Sequence, residues 1–470
     1  MLPAFGNAAD LADLDRRLAG SPDDVELLYA RACVLDLLGR NNDARDAYIE
    51  VIKRSPTHLG ALGNLGTMLY NAGFRSAARL TYAQALSYHP SDVTTLVNYG
   101  NALLDTDDFE GAAAVYQRAL AVEPDAGAAH QGLSHALSRL GRDEEAERHR
   151  RAGFTLAPIA VRAFRGEGVP ISLLVLSSAL RGNVATEAAF DDRTFLLVTL
   201  FAEHYDPLLP LPPHDVIVNA IGDADLCAQA LDAAQALVRD AQAPIVNAPA
   251  AVRKTGRAAV AAALRDVDGL IVPEIREYDR ADASRMTHFP VLLRAPGYHT
   301  GEHFEVVRSR EELGPVLNAL PGERVLAIQP LDARGADGAY RKYRVLSVGG
   351  RFYPVHLARS SQWKVHYFSA DLVRTPEAIA EEEAFLRDMR TAIGERAVRA
   401  LEAIRERLAL EYFGVDFAVD ASGNVLLFEA NAAMRAIVPP ADGSNEPRRR
   451  AALEANAAFR DLVLGAAGRR

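Results

Sequence analysis

The sequence predicts a chain of more than one domain: an all-α solenoid over the first third, then an α+β fold preceded by a smaller α/β subdomain. Three observations predict it. Prolines recur at Pro22, Pro56, Pro90, Pro124 and Pro158, 34 residues apart, and the period then stops. Beyond it, short β-rich runs alternate with helical ones. Near the C-terminus two apolar runs, FGVDFAV and NVLLFEA, flank the turn string DASG.

Composition narrows the class. The chain has 470 residues, 49% hydrophobic and 24% charged, the balance of a globular protein, and its length corresponds to about two to four domains. Lys+Arg number 52 against 62 Asp+Glu, a net charge of −10. Sequence-independent nucleic-acid binding needs a basic footprint, so that class is excluded. Cys33 and Cys227 fit neither a paired-cysteine metal knuckle nor a disulfide framework. No basic stretch with an apolar core opens the chain, and no run approaches the ~20 apolar residues of a membrane span. A soluble, cytoplasmic protein with no membrane partner is expected. Lysine occurs only at Lys53, Lys254, Lys342 and Lys364, so arginine is expected to replace it elsewhere.

The first third repeats in several columns at once: Ala44, Ala78, Ala112 and Ala146; Tyr48, Tyr82 and Tyr116; Leu28, Leu62 and Leu96; Leu35, Leu69, Leu103 and Leu137. A fixed period of this length marks a solenoid. Leu62, Leu65 and Leu69 share one face of a first helix; Ala78, Tyr82 and Ala85 share one face of a second. The alanine lets the pair approach closely, and the proline ends the unit because it cannot continue a helix. This pattern resembles the tetratricopeptide repeat family, with four full units from Val25 to Pro158. Residues 8–20 resemble the second helix of a truncated unit, a cap that departs from the pattern at Asp10 and Leu14.

Such arrays present a groove lined by the first helix of each unit. Asn64 and Asn98 share one column, in NLGTML and NYGNAL, with Ala30 and Gly132 in the outer units. The pair is similar to the asparagine ladder of tetratricopeptide glycosyltransferases, which implies a grip on a peptide backbone. The local alternative is that these amides satisfy turns or helix ends. His135 and Tyr70 are further candidates for the same groove, each a weak pointer alone.

Residues 161–170, with Gly166, Gly168 and Pro170, read as a linker. ISLLVLSSAL (171–180), HDVIVNAIG (214–222), PIVNAP (244–249) and LIVPEI (270–275) read as strands of a parallel sheet, with a helix over 224–240. Phosphate-loop, zincin and nucleophile-elbow motifs are absent. In the C-terminal hairpin, a two-residue turn at Ser422-Gly423 makes Asp416 face Glu429, with Cβ atoms about 4.5–5.5 Å apart. Asn431 keeps the same side. Two carboxylates among apolar neighbours call for a proton or a cation, and oxygen-only ligands suit Mg²⁺.

This D…E-x-N hairpin resembles the metal-binding end of the ATP-grasp superfamily, which includes glutathione synthetase and D-alanine–D-alanine ligase. HFPVLLRAPGYHTGEHFEVV (288–307) resembles the strand and phosphate-covering loop of that fold, with Arg294 where lysine is usual and a loop holding Gly297 and Gly301. VLAIQPLD (325–332) resembles the hinge strand that reads adenine, which places Gln329 and Leu331 at the base. YRKYRVLSVGGRFYPVHLAR (340–359) resembles the following strand pair. The resemblance puts Lys342 and Arg344 beside the triphosphate and Arg359 near the reacting carboxylate. NAPAAVRKTGR (247–257) resembles the segment of the first nucleotide lysine, filled by Lys254 or Arg257. The loop RSSQWKVHYFSADL (359–372) would overhang the reacting carboxylate, so Trp363 and His366 are substrate candidates; the alternative is an aromatic patch packing a lid. The run Glu381–Glu383 is expected to be a solvated helix face.

The divisions expected are a solenoid over 1–160, a linker over 161–170, an α/β pre-ATP-grasp subdomain over 171–285 and an ATP-grasp domain over 286–470. The resemblance implies an ATP-dependent carboxylate–amine ligase that uses ATP and Mg²⁺, passes through an acyl phosphate and releases ADP and phosphate. Asp416, Glu429 and Asn431 would hold the metal, Arg344 and Arg359 would be catalytic, and the array would recruit a peptide or protein substrate. The alternatives are a small-molecule ligase whose array serves assembly, which leaves a homo-oligomer open, and a non-catalytic nucleotide-binding scaffold.

Overall fold

The computed structural model describes residues 8–186, 188–297, 303–365, 375–441, 443 and 445–468. The chain divides into two compact units. One runs to Pro170 and includes Asp192–Thr194 and His204–Asp206; the other comprises Ile171–Asp191, Phe195–Glu203 and Pro207–Arg470.

The first unit is a helical array: α1 (Ala8–Gly20), α2 (Val25–Leu37), α3 (Asn41–Arg54), α4 (Leu59–Asn71), α5 (Arg75–Tyr88), α6 (Val93–Leu104), α7 (Phe109–Val122), α8 (Gly127–Arg139) and α9 (Asp143–Leu156), then a short strand, β1 (Ile159–Arg162). Aspartates open several helices by accepting orphan N–H groups: Asp24 at α2, Asp92 at α6 and Asp108 at α7. Pro56, Pro90, Pro124 and Pro158 each lie just past the end of the second helix of a unit, as expected. α1 is the capping helix; Leu14 fills the place of the repeat tyrosine and is buried.

Each repeat tyrosine is buried, and its hydroxyl meets one further repeating column. Tyr48 OH donates to Cys33 Sγ (3.6 Å), Tyr82 OH pairs with Thr67 Oγ1 (3.1 Å), and Tyr116 OH donates to Asn101 Oδ1 (2.6 Å). The rings press on glycines. A Cβ on Gly100 would lie 2.6 Å from the Tyr116 ring, and one on Gly132, in the next unit, 2.2 Å from it.

The second unit opens with four parallel strands, β2 (Ile171–Ser177), β3 (Phe195–Phe201), β4 (Val216–Asn219) and β5 (Ile245–Val246), in the order β3-β2-β4-β5. β3, the string FLLVTLF, is not among the strands expected from the sequence. The helix between β4 and β5, α10 (Ala228–Leu237), starts later than 224, because the Asp223 side chain accepts from the N–H groups of Asp225 and Leu226 in a turn (2.9 Å each). Then come α11 (Pro249–Val252), α12 (Arg257–Ala263), β6 (Leu270–Ile271), β7 (Ile275–Asp279), α13 (Arg280–Ala283), β8 (Val291–Arg294), β9 (Phe304–Val307), α14 (Arg310–Ala319) and β10 (Arg324–Ile328). β7, β10, β8 and β9 form an antiparallel sheet in that order. The last sheet takes β11 (Tyr340–Val348), β12 (Arg351–Ser360), β13 (Tyr412–Val419) and β14 (Val425–Asn431), ordered β12-β11-β13-β14-β6. α15 (Pro376–Arg387), α16 (Met389–Leu408) and α17 (Glu446–Ala466) complete the chain. Among the described residues no helix is long and apolar enough to cross a membrane.

Two expectations change here. LIVPEI does not extend the parallel sheet: β6 runs beside β14, and β7 pairs with β10. A division at residue 285 therefore cuts through two later sheets. Nor is Glu381–Glu383 a solvated face. Glu382 is buried, accepting from Leu357 N (3.1 Å) and from Arg448, while Glu381 accepts from Arg341 (2.6 Å).

The apolar cores explain the layout. One cluster joins the parallel sheet (Leu173, Val175, Phe195) to the last sheet (Leu346, Val348, Tyr412) through Phe459 of α17. The four-stranded sheet buries its own cluster, with Leu293, Val325, Leu313 and Leu317.

The Tyr116 ring is held from both sides, so it cannot yield to a larger neighbour. Gly100→Val is expected to destabilise the array by about 1–3 kcal/mol through overpacking. Tyr116→Phe removes only the hydroxyl and costs about 0.5–1.5 kcal/mol. Chemical denaturation of both variants, followed by far-ultraviolet circular dichroism, checks the order.

Candidate functional site

A cleft of about 1240 Å³ lies in the second unit, lined by the four-stranded antiparallel sheet and the last, mixed sheet. Small-molecule pockets usually span about 300–1,000 Å³, so an extended ligand fits. β8 contributes Arg294, the end of β10 leads to Gln329 and Leu331, β11 gives Lys342 and Arg344, and β13 and β14 give Asp416, Glu429 and Asn431.

The hairpin register puts Asp416 opposite Glu429, as expected, but by another route. The loop has three residues, Ala421–Gly423: Asp420 N bonds to Asn424 O (3.0 Å), and Gly423 takes φ +77. That shifts the pairing by one, so Val419 faces Val425. A bulge between Asp416 and Phe417 shifts it back.

The polar row runs on across the sheet. His356, Arg344, Asp416 and Glu429 are successive register partners on β12, β11, β13 and β14. Arg344 grips Asp416 with Nε–Oδ1 at 2.5 Å and Nη2–Oδ2 at 2.7 Å, and Lys342 Nζ adds a contact to Oδ2 at 3.1 Å. Burial alone would raise the Asp416 carboxyl; Arg344 and Lys342 outweigh it and hold the group well below the usual carboxylate range. His356 is buried, and burial together with the Arg344 charge keeps its imidazole neutral. Glu429 pairs with Arg257 and accepts from Asn431 Nδ2 (2.6 Å), while Asn431 Oδ1 accepts from Ala433 N (2.9 Å). Asp225 fixes the start of α12 by accepting from Arg257 N (3.0 Å). Arg294 is buried; burial and the nearby Arg257 charge lower its guanidinium to about 10, so it stays charged at neutral pH. Ten arginines and lysines line the cleft against three acids, in a chain of net charge −10. The local field favours an anion.

Two carboxylates and an amide on one sheet face are hard oxygen donors, so the residues fit Mg²⁺. Among the described residues no three His, Cys, Asp or Glu side chains cluster to hold a metal by themselves. Mg²⁺ commonly binds through one or two carboxylates and completes its shell with phosphates and water, which this set allows. The expectation that the acid pair awaits a cation is corrected in one respect: Arg344, Lys342 and Arg257 already compensate it.

The other expected residues divide. Of the two candidates in that segment, Arg257 lines the cleft and Lys254 is exposed and not among the lining residues. Gln329 Oε1 accepts from Glu274 N (3.1 Å), extending the β7–β10 ladder, and Leu331 lines the cleft beside it. Arg359 is not among the lining residues: it pairs with Asp337 (2.8 Å) and Glu381 (3.8 Å). Trp363 meets Phe304 edge-on at 5.7 Å, and Lys364 Nζ donates to Phe304 O (3.0 Å), so this segment covers β9. His366, Tyr367 and Gly301 lie outside the described residues. The Asn64 amide donates to Tyr29 OH (3.2 Å) and Tyr48 OH (3.1 Å), within the array. Asn98 is half-buried. Arg181, Asn183 and Arg435, none of them expected from the sequence, also line the cleft. Only Arg435, four residues past Asn431, had a signal nearby.

Family models for the tetratricopeptide repeat match residues 25–58, 64–121 and 103–149. The N-terminal unit is a tetratricopeptide-repeat array. No curated protein matches the chain. Among solved structures it is similar to MamA 41-end from Desulfovibrio magneticus RS-1, at 22% identity over 32% of this chain and 84% of that one, with TM-score 0.30. It is also similar to YrrB, a TPR protein with an unusual peptide-binding site, at 15% identity over 32% of this chain and 77% of that one, with TM-score 0.29. The tetratricopeptide array is followed by a mixed α/β region that holds the cleft.

The Arg344–Asp416 pair gives a stability test. Asp416→Asn leaves two half-buried cations without their acid and is expected to cost about 3–5 kcal/mol, part of it recovered in Asp416→Leu/Arg344→Leu. A depressed carboxyl contributes stability that is complete above about pH 4 and is lost as pH falls through the folded-state value. Denaturation curves of wild type and Asp416→Asn should therefore converge only in strong acid.

Proposed function

We propose that the second unit is an ATP-grasp carboxylate–amine ligase and that the tetratricopeptide array recruits a peptide or protein substrate to it. The observation that carries the reading is the Asp416–Glu429 pair, facing a large basic cleft lined by two sheets. ATP bound there would supply the phosphoryl group, and Mg²⁺ would neutralise charge on its phosphates. Phosphoryl transfer asks the protein mainly for positioning and charge compensation, and the cleft holds both kinds of group. Arg294 and Lys342 give fixed positive charge from opposite sheets. Arg257 and Arg344 are planar forks now engaged with carboxylates, and they match phosphate oxygens equally well. Asp416, Glu429 and Asn431 would hold the cation. The backbone at Gln329 and Leu331 would meet the base. The carboxylate and amine substrates would enter beside this row.

The occupied Asn64 amide weakens a two-asparagine clamp, so Asn98 carries the expected peptide contact alone. This favours a second reading of the array, as an assembly module for a small-molecule ligase. Peptide binding by the full chain, lost in Asn98→Ala, would decide for recruitment.

Full-length protein is expected to release ADP from ATP only with Mg²⁺ and a carboxylate–amine pair. Glu429→Gln should abolish this and weaken Mg²⁺-dependent nucleotide binding; full turnover by that variant refutes the assignment. Arg344→Ala should lower kcat on the order of 10²-fold or more, the loss typical of a donor aimed at developing charge. Arg294→Lys should keep appreciable activity, because it preserves the charge. A dead Arg294→Lys beside a normal Arg344→Ala would show that the phosphates are misplaced.

A further inference from the structure

The basic residues around the cleft are not equivalent. Arg257, Arg341, Lys342 and Arg344 each hold an acid. Arg181 and Arg435 line the same cleft, are exposed and have no ion-pair partner among the described residues. A guanidinium without an acid attracts an anion and can grip a carboxylate with two parallel hydrogen bonds.

The loops that carry these two arginines are built, and both are braced by one turn. Arg181 O accepts from Cys227 Sγ (3.0 Å), and Gly182 O accepts from Gly222 N (2.9 Å) and Asp223 N (3.1 Å). Asn183 closes the loop from its other side: its Oδ1 accepts from Ser178 N (2.9 Å), and its amide donates to Ser178 O (2.8 Å) and Leu180 O (3.1 Å). Gly222 also abuts the segment leading to Arg435, since a Cβ there would fall 2.4 Å from Ala433 N. Ala433 N in turn donates to Asn431 Oδ1 (2.9 Å), so this end of the cleft adjoins the Glu429–Asn431 donors.

We propose that Arg181 and Arg435 form a subsite for a carboxylate other than the one that reacts, so that the substrate is a dicarboxylate or an acidic peptide. The proposal rests on the ligase reading of the cleft. Its shared chemistry is a second negative oxygen group presented a short distance from the reacting one. Neither a neutral side chain nor a simple monocarboxylate would satisfy both forks.

The test is calorimetric binding to the full-length protein, with and without Mg²⁺ and a non-hydrolysable ATP analogue. N-acetyl-L-glutamate and N-acetyl-L-glutamine differ only in the second carboxylate. The glutamate form is expected to bind at least about ten-fold tighter, the worth of one charge-assisted contact. Arg181→Gln/Arg435→Gln should remove that preference, and Arg181→Lys/Arg435→Lys should restore part of it, with binding of the ATP analogue unchanged in both. Triglutamate separates the sources: tighter binding than N-acetylglutamate identifies an acidic peptide, and weaker binding a free dicarboxylate. Equal affinity for the matched pair, a preference that survives in the double glutamine variant, or no binding of either probe overturns the proposal. Failure of the ATP analogue to bind wild type would instead overturn the ligase reading, and the matched pair would still report on the subsite without nucleotide.

Discussion

Asp416 is a carboxylate in the middle of a sheet, 3% exposed, and the site is organised around compensating it. A buried charge without a partner is too costly to persist. The partners must therefore come from strands that lie beside it, and β11 supplies both Arg344 and Lys342. One strand further out, burial together with the Arg344 charge keeps His356 neutral. On the other side Glu429 repeats the problem and takes its cation from the first turn of α12, so Arg257 ties that helix to β14. Once the acids are satisfied, the surplus of positive charge faces the cleft, which gives the cavity its character.

The same economy of burial shapes the array without any charge. Its repeat tyrosines fill the space between helices of successive units, and each hydroxyl needs a polar partner. Cys33, Thr67 and Asn101 provide it from one column with three different chemistries. Glycines stand where a ring passes, because a Cβ would occupy the same space. The amide of Asn64 joins this network through Tyr29 and Tyr48.

Particular residues show where pattern reading reaches and where it stops. The facing of Asp416 and Glu429 follows from the hairpin, yet the loop is one residue longer than expected and a bulge restores the pairing, two local irregularities that cancel. The strand Phe195–Phe201 is an apolar run just after the turn Asp192–Thr194, and its pairing with β2 places it in the parallel sheet. Arg359 carries the residue type expected near a reacting carboxylate, but Asp337 and Glu381, from distant segments, claim it first.

By itself the sequence determined the repeat, the helices within each unit, the strand-rich C-terminal region and the acidic hairpin. All of these rest on periodicity, turn chemistry and apolar patterning, which act over a few residues. Tertiary structure alone decided that Arg257 and not Lys254 enters the cleft, that β6 and β7 join the later sheets, that Glu382 is buried, and that Arg181 and Arg435 line the same cavity. Those outcomes depend on which charges and which sheet edges meet across long stretches of chain. A charge is placed by the partner that compensates it, and local spacing says nothing of where that partner comes from.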